Sequence, residues 1–312
     1  MSLSPAYGVD EVLAGVEDGV GRLVLNRPHA INALTLPMVD AVYAQLVAWA
    51  EDDGVESVRL TGAGDRGLCA GGDVRAMRES TLAGTGDAAG FLRGEYELVR
   101  LLAHYPKPLE AVMTGVTMGG GLGLAAYGSL RMVDETSRIA MPETVIGLYP
   151  DAGVLWQLSR APGGLGTFLA LTGATVGGGL AIRAGLADTG MRDEVPPPWV
   201  DICFAGDDPA AMIDALATFD DDLARQTVTD LLSRSPLSVC VALEALRRAQ
   251  GMSTADEVID QDLVVGPTMV GQPDFVEGVR AQLVDKDRSP RWSYAHVRDV
   301  PREHVLAMFG EV

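Results

Sequence analysis

The stretch that decides the fold is Thr117-Met118-Gly119-Gly120-Gly121-Leu122-Gly123-Leu124-Ala125-Ala126. Apolar spacing predicts a buried strand over residues 108–116 before it and a short helix over residues 122–130 behind it. Glycines between a strand and a helix let a ligand reach the main chain, where free N–H groups lie at the positive end of the helix dipole. The junction therefore predicts an anion site, for a stable phosphate or for an anion that forms during a reaction.

A second glycine-rich junction spans residues 62–73, and it also follows a predicted strand, over residues 55–61. Upstream, residues 20–25 read as a strand and residues 36–50 as a helix that Thr35 caps. The order of strand followed by helix repeats three times before residue 130, which predicts an α/β fold. Residues 80–90 are small and polar and predict a mobile loop.

The later part of the chain is predicted to be helical. Three consecutive prolines at positions 196–198 mark the best candidate for a linker. Ser235-Pro236 and Ser253-Thr254-Ala255-Asp256 have the character of helix starts, and residues 274–284 have an apolar helical face. We therefore expect a core domain over residues 1–190, a linker over 191–212 and a helical region over 213–312.

Composition narrows the class of protein. The 312 residues carry a formal charge of −19, which disfavours nucleic acid and anionic membrane as partners. Neither an apolar run long enough for a bilayer nor a signal-like N-terminus is evident, so a cytoplasmic location is expected. The three cysteines lack metal-ligand spacing, as do the acidic and histidine residues, so neither a disulfide nor a metal is expected.

Several kinds of site fit the glycine junctions. Gly121 to Ala126 matches the dinucleotide pattern G-x-G-x-x-A, but no acidic residue about twenty positions on is suitably placed for a ribose. Two main-chain N–H groups, one from each junction, would instead form an oxyanion hole, and Glu143 with Asp151 would complete a site for acyl chemistry. The alternative is that both clusters are tight turns and both acids are solvated. The chain lacks the G-x-S-x-G pattern of serine hydrolases, and Cys69 reads as a small buried loop residue.

Four stretches in this order resemble the crotonase, or enoyl-CoA hydratase/isomerase, superfamily: LNRPHAINALT, GLCAGGD, GVTMGGGLGLA and MPETVIGLYPDAG. Within it the likeness is strongest to the 3-hydroxyisobutyryl-CoA hydrolases, through the PETVIGLYPDAG loop, the phrase RGEY at 93–96 and the C-terminal DFVEGVRA. The resemblance implies an α/β spiral of ββα units with a C-terminal helical region. It implies that the protein hydrolyses a short-chain 3-hydroxyacyl-CoA thioester to the hydroxy acid and CoA. The substrate that it implies is 3-hydroxyisobutyryl-CoA, and the pathway is valine catabolism.

The resemblance also assigns catalytic roles. The N–H groups of Gly72 and Gly120 would hold the thioester oxygen, Glu143 would act as base or nucleophile, and Asp151 would orient Glu143, water or substrate. Gly123 stands where hydratases carry a second glutamate, which argues against addition of water to a double bond. An enoyl-CoA hydratase or isomerase, and a non-catalytic acyl-CoA binder, are the alternatives.

Coenzyme A, as part of the substrate, is the ligand that the resemblance implies, with no other cofactor. Arg27, His29, Lys286 and Arg288 are the candidate bases for its phosphates. The remaining residues assigned to substrate binding are Ala30, Asn32, Ala33, Leu34, Ala70, Gly71, Asp73, Glu95 and Gly119. The superfamily's habit suggests a homo-oligomer, either a trimer or a dimer of trimers.

Overall fold

The computed structural model describes residues 3–311, which group into two compact units. Of the described residues, the sheet unit consists of 3–73, 93–140 and 176–194, and the helical unit of 74–92, 141–175 and 195–311. Both units are assembled from separate stretches of chain, unlike the contiguous domains that the sequence suggested.

The sheet unit contains the strands found within residues 3–311. They are β1 (Ser4–Ala6), β2 (Val9–Glu17), β3 (Val20–Leu25), β4 (Ser57–Gly62), β5 (Leu109–Val112), β6 (Val116–Met118), β7 (Leu130–Met132) and β8 (Arg138–Ala140). Six of them form one sheet in the order β1-β2-β3-β4-β5-β7, antiparallel up to β3 and parallel from β3 onward. Strands β6 and β8 pair in parallel as a second sheet.

The strand predicted over residues 108–116 is in fact two strands, so that prediction was wrong. Strand β5 ends at Val112, and Gly115 adopts a left-handed φ of 59° before β6 begins at Val116. The turn takes the chain out of the six-stranded sheet and into the two-stranded one. The glycine run therefore follows a strand of the smaller sheet.

The sheet unit contains the helices α1 (Leu36–Ala50), α4 (Gly120–Ala126) and α7 (Gly178–Arg183). It also contains the part of helix α3 (Asp87–Ala103) that begins at Arg93. Thr35 caps α1 as predicted, because its hydroxyl accepts a hydrogen bond from the N–H of Met38. Helix α4 begins two residues earlier than predicted and ends at Ala126. All of its residues are buried. Gly120 and Gly121, which the sequence placed before the helix, belong to its first turn.

The prediction of a mobile loop over residues 80–90 was wrong. Helix α2 (Val74–Ala83) and the start of α3 at Asp87 leave only residues 84–86 between them. The small polar side chains make hydrogen bonds within the connection, since Ser80 Oγ accepts from the N–H of Ala88 at 3.0 Å and contacts Thr85 Oγ1 at 2.8 Å. Small polar residues here join two helices.

The helical unit holds the remaining helices of residues 3–311. Besides α2 and the first part of α3, these are α5 (Leu155–Leu158), α6 (Leu165–Thr172), α8 (Pro198–Cys203), α9 (Pro209–Leu216), α10 (Asp222–Ser233), α11 (Pro236–Gly251), α12 (Ala255–Val270), α13 (Pro273–Val279) and α14 (Arg302–Met308). Ser235 caps α11 as predicted, whereas Thr254 caps α12, one residue after the Ser253 that the predicted capping box indicated. The segment predicted as a linker carries α8 and the first part of α9.

Within residues 3–311, no helix has both the length and the apolar character needed to cross a bilayer.

Asn32 fastens the first loop of the sheet unit to the second glycine junction. Its side chain is fully buried, and its Nδ2 group donates to the carbonyl oxygens of Ala63, Gly67 and Leu68, each at 3.1 Å. Its Oδ1 accepts from the N–H of Arg27 at 2.9 Å. The side chain of Asn32 therefore holds the loop before Cys69, while the assignment of the Asn32 main chain to substrate binding stays a prediction.

We expect Asn32→Ala to lower the free energy of unfolding by about 3 kcal/mol, because four main-chain groups lose a buried partner. Asn26→Ala is the matched control: its Nδ2 group makes one exposed hydrogen bond to the Asp10 carbonyl, so a loss below about 1 kcal/mol is expected. Urea unfolding of both variants measures the difference. Equal losses would show that Asn32 does not hold the junction.

Candidate active site

The two glycine junctions of the sheet unit lie side by side. The Cys69 N–H donates to the Val116 carbonyl at 3.2 Å, and the Met118 N–H donates to the Cys69 carbonyl at 3.0 Å. A Cβ atom placed on Gly71 would lie 3.5 Å from the Gly120 nitrogen. Two turns that are 49 residues apart in sequence are thus joined by main-chain pairing, so the nitrogens of Gly72 and Gly120 belong to one local structure.

Neither the Gly72 N–H nor the Gly120 N–H donates a hydrogen bond within residues 3–311. Gly72 bridges to Leu34 through its neighbours, since Leu34 donates to Gly71 and Asp73 donates to Leu34. This parallel bridge leaves the Gly72 N–H on the opposite side. The Gly120 N–H belongs to the first turn of α4, where N–H groups lack a partner inside the helix. Both N–H groups can therefore donate to the oxygen of a ligand.

Glycine is required around this pair for two reasons. Gly119, the residue before α4, has φ 53° and ψ −132°, which side chains rarely permit. A Cβ atom on Gly120 would lie 1.8 Å from Oε1 of Glu95, a carboxylate that is 3% exposed. Glu95, which the resemblance assigned to substrate binding, therefore lies directly against the Gly120 main chain.

Cys69 is fully buried between the two turns. Its thiol donates to the carbonyl oxygen of Asn32 at 3.2 Å. Burial, which is the largest cause, raises the pKa of the Cys69 thiol to about 12. Since the thiolate is the reactive form of cysteine, the sulfur is inert at neutral pH. The expectation that Cys69 is a small buried loop residue is confirmed.

The candidate bases of the sheet unit differ in their surroundings. Arg27 is 17% exposed, donates to Asp73 Oδ2 at 2.9 Å and donates to the Ala33 carbonyl at 3.1 Å. Arg27 thus contacts two other residues assigned to substrate binding and forms an ion pair with one of them, Asp73. His29 is exposed, on a short 3-10 turn that also contains Ala30.

In the helical unit, Lys286 and Arg288 belong to a loop organised by Arg280. The Arg280 guanidinium binds Asp285 at 2.6 Å and Asp287 at 2.7 Å, besides Glu277. The two acids are therefore paired, while Lys286 and Arg288 are exposed. This arrangement leaves both bases available to an anionic ligand.

Glu143 begins a 3-10 turn, Glu143–Ile146, in the helical unit, and is 6% exposed. Thr144 fixes this turn: its hydroxyl donates to the Leu171 carbonyl at 3.2 Å, and its carbonyl accepts from the Ser235 N–H at 3.1 Å. Both partners lie on or beside helices α6 and α11. The turn is consequently held by two long-range hydrogen bonds next to Glu143.

The 3-10 turn also packs tightly against helix α13. A Cβ atom on Gly147 would lie 2.3 Å from the Asp274 carbonyl, and one on Gly278 would lie 2.5 Å from the Ile146 carbonyl carbon. The Asp274 carboxylate accepts from the Ser235 hydroxyl at 2.6 Å and from Ser293. The C-terminal DFVEGVRA phrase therefore supports the turn that carries Glu143.

Asp151 lies in the loop Tyr149–Gly153 of the helical unit and is 6% exposed. Burial, the largest cause, raises the pKa of Tyr149 well above its usual value, and the charges of Asp262, Asp151 and Glu143 act in the same direction. The charges of the two acids proposed from the sequence therefore act on the same phenol. A buried cluster of carboxylates favours acid–base or nucleophilic chemistry.

Comparison with known proteins agrees with these features. A sequence model of the enoyl-CoA hydratase/isomerase family matches residues 20–197 and 194–309. The chain belongs to the enoyl-CoA hydratase/isomerase family. Its relatives include the mitochondrial 3-hydroxyisobutyryl-CoA hydrolase of Danio rerio, 33% identical over 97% of this chain and 90% of the relative. The Homo sapiens protein of that name is 32% identical over 95% and 87%, respectively.

Solved structures of this family have the same fold. A carnitinyl-CoA dehydratase from Mycobacterium thermoresistibile matches with a TM-score of 0.91 and 40% identity, covering 97% of each chain. An enoyl-CoA hydratase from Rhodobacter sphaeroides 2.4.1 matches with a TM-score of 0.91 and 36% identity, covering 97% of this chain and 98% of the other. The crotonase resemblance and the α/β fold class are confirmed.

Sequence reasoning missed the residues that hold the two acids. Asp262 contacts the loop of Asp151, while Ser235 and Asp274 support the turn of Glu143. One signal was available for Asp262: it lies on the stripe of α12 that contains the apolar Val258, Val265 and Met269. An acidic residue on the apolar face of an amphipathic helix calls for a buried partner.

Within residues 3–311, no group of three or more His, Cys, Asp or Glu is arranged to hold a metal.

We expect Gly120→Ala to lower kcat about 100-fold, because the added methyl group displaces either Glu95 or the Gly120 N–H, and small displacements in an active site are costly. The matched control is Gly90→Ala in α3, where a Cβ atom meets nothing within 4 Å. Gly90→Ala should keep full turnover and raise the free energy of unfolding by about 0.5 to 1 kcal/mol. Steady-state kinetics and urea unfolding measure both effects. Equal turnover in the two variants would contradict the role of Gly120.

Proposed function

We propose that the protein hydrolyses a short-chain 3-hydroxyacyl-CoA thioester, with 3-hydroxyisobutyryl-CoA as the expected substrate. The observation that carries the proposal is the pair of uncommitted N–H groups at Gly72 and Gly120 in adjacent turns. Such a pair suits the oxygen of a thioester, which gains negative charge when the carbonyl carbon is attacked. Relatives named 3-hydroxyisobutyryl-CoA hydrolase support the choice of acyl group.

In the proposed mechanism the thioester oxygen accepts hydrogen bonds from Gly72 and Gly120. The carboxylate of Glu143 either removes a proton from a water that attacks the carbonyl carbon or attacks that carbon itself. In the second route, water then hydrolyses the resulting mixed anhydride. The C–S bond breaks in either route, so one water is consumed and a carboxylic acid and the thiol of CoA are released.

Asp151 has a supporting role in this proposal. The charges of Asp151 and Glu143 both act on Tyr149, so Asp151 is placed to orient the Glu143 carboxylate. It can also orient water or the 3-hydroxyl group of the substrate. These roles depend on charge, so the neutral isostere asparagine should not replace Asp151.

A second candidate function is hydration or dehydration of an acyl-CoA, because the solved structures described above are named as a hydratase and a dehydratase. Helix α4 bears on this choice, since it carries only Gly, Leu and Ala. The resemblance places the second glutamate of hydratases at Gly123. Without an acid in α4, proton transfer to the carbon chain lacks one of its two groups, and hydrolysis is the better supported function.

The test is a panel of 3-hydroxyisobutyryl-CoA, 3-hydroxypropionyl-CoA and crotonyl-CoA, with released thiol measured by a chromogenic reagent and loss of the enoyl double bond by absorbance. Hydrolysis predicts thiol release from the hydroxyacyl substrates and no hydration of crotonyl-CoA. Glu143→Gln should lower kcat at least about 100-fold, whereas Glu135→Gln, at an exposed position, should retain it. Double-bond hydration without thiol release would establish the alternative, and CoA binding without turnover of any substrate would indicate a binder.

A further inference from the structure

Asp262 is a buried carboxylate that the proposed mechanism does not use. It lies in helix α12 with 0% exposure. Its Oδ1 accepts from the Tyr149 hydroxyl at 2.6 Å, and its Oδ2 accepts from the Gly153 N–H at 2.7 Å. The two donors stand two residues before and two residues after Asp151, so one carboxylate holds both ends of the Asp151 loop.

The loop needs such a restraint. Ala152 and Gly153 have φ values of 51° and 72°, and a left-handed conformation is unfavourable for alanine. Strained residues persist only where the surroundings hold them, and they cluster at functional sites. The hydrogen bond from Gly153 to Asp262 directly follows the strained residue. Asp262 therefore maintains a main-chain conformation that the local sequence would not adopt alone.

Burial of this carboxylate is costly, and an apolar residue would fill the same position without that cost. Desolvation, the largest cause, raises the pKa of Asp262 well above its usual value, and the charge of Asp151 raises it further. The hydrogen bonds from Tyr149 and Gly153 place the Asp262 carboxylate against the loop whose middle residue is Asp151. A buried ionisable side chain that is kept beside the Asp151 loop despite this cost is expected where its placement serves the reaction.

We propose that Asp262 is a positioning residue for Asp151, holding the loop Tyr149–Gly153 through the Tyr149 hydroxyl and the Gly153 N–H. The proposal rests on the proposed function, because Asp151 has its role in hydrolysis there. Asp262 acts on the reaction only through the loop.

Asp262→Asn weakens this restraint, because the amide keeps one acceptor oxygen: its NH2 group either meets the Gly153 N–H without accepting from it or binds Tyr149 only after the phenol turns from donor to acceptor. We expect kcat to fall about tenfold, with KM changed less than about twofold, since misplacing a supporting group affects the chemical step. Tyr149→Phe, which leaves the Gly153 bond in place, should lower kcat about threefold. Unchanged kcat in both variants would overturn the proposal.

A double-mutant cycle separates positioning from general damage. In an Asp151→Asn background, Asp262→Asn should lower kcat by less than about twofold, because the group through which it acts is already gone. A merely structural role predicts the same tenfold loss in both backgrounds, and that result would overturn the proposal. Tyr149→Phe serves in the same cycle if Asp262→Asn does not fold.

Amide hydrogen exchange tests the restraint without any turnover. Exchange in a peptide covering residues 149–155 should become at least about tenfold faster in Asp262→Asn, while the rest of α12 stays protected. The control is Asp201→Asn, whose carboxylate accepts from the Gly164 N–H at 2.9 Å and which should leave residues 149–155 unchanged. If the wild type releases no thiol, the proposed function fails, while this measurement still decides whether Asp262 holds the loop; unchanged exchange overturns the proposal.

Discussion

The main-chain pairing between residues 67–69 and 115–118 is the interaction on which the rest of the sheet unit depends. Gly67 bridges to Gly115 and Cys69 to Thr117, so the two glycine turns continue from paired segments. Because main-chain hydrogen bonds form this pairing, its geometry does not depend on flexible side chains. The N–H groups of Gly72 and Gly120 are then fixed before any ligand arrives. Preorganised donors stabilise a developing charge without the cost of turning toward it.

In the helical unit, contacts within the protein likewise hold two acidic side chains in place. Glu143 and Asp151 lie in short irregular segments that would move if only their neighbours in sequence held them. Groups from distant helices fasten both segments: Ser235 and Asp274 hold the turn of Glu143, and Asp262 holds the loop of Asp151. Each fastening group is itself buried. The same buried contacts therefore stabilise the helical unit and place the two acids.

The sequence predicted the features that local chemistry controls. Apolar alternation marked the strand over residues 20–25, side-chain caps marked the starts of α1, α11 and α12, and glycine clusters marked both turns. It did not reveal that one predicted strand divides between two sheets, because Gly115 reads as an ordinary strand glycine until its φ is known. It also did not reveal the bond from Tyr149 to Asp262, which joins residues 113 positions apart. Contacts at such separations depend on the packing of whole elements.

The most direct measurement of the central claim is a crystal structure of the protein with a hydrolysis-resistant 3-hydroxyisobutyryl-CoA analogue in which a methylene group replaces the sulfur. The account predicts that the acyl carbonyl oxygen lies within about 3 Å of both the Gly72 and the Gly120 nitrogens. A carbonyl oxygen that contacts neither nitrogen would contradict it.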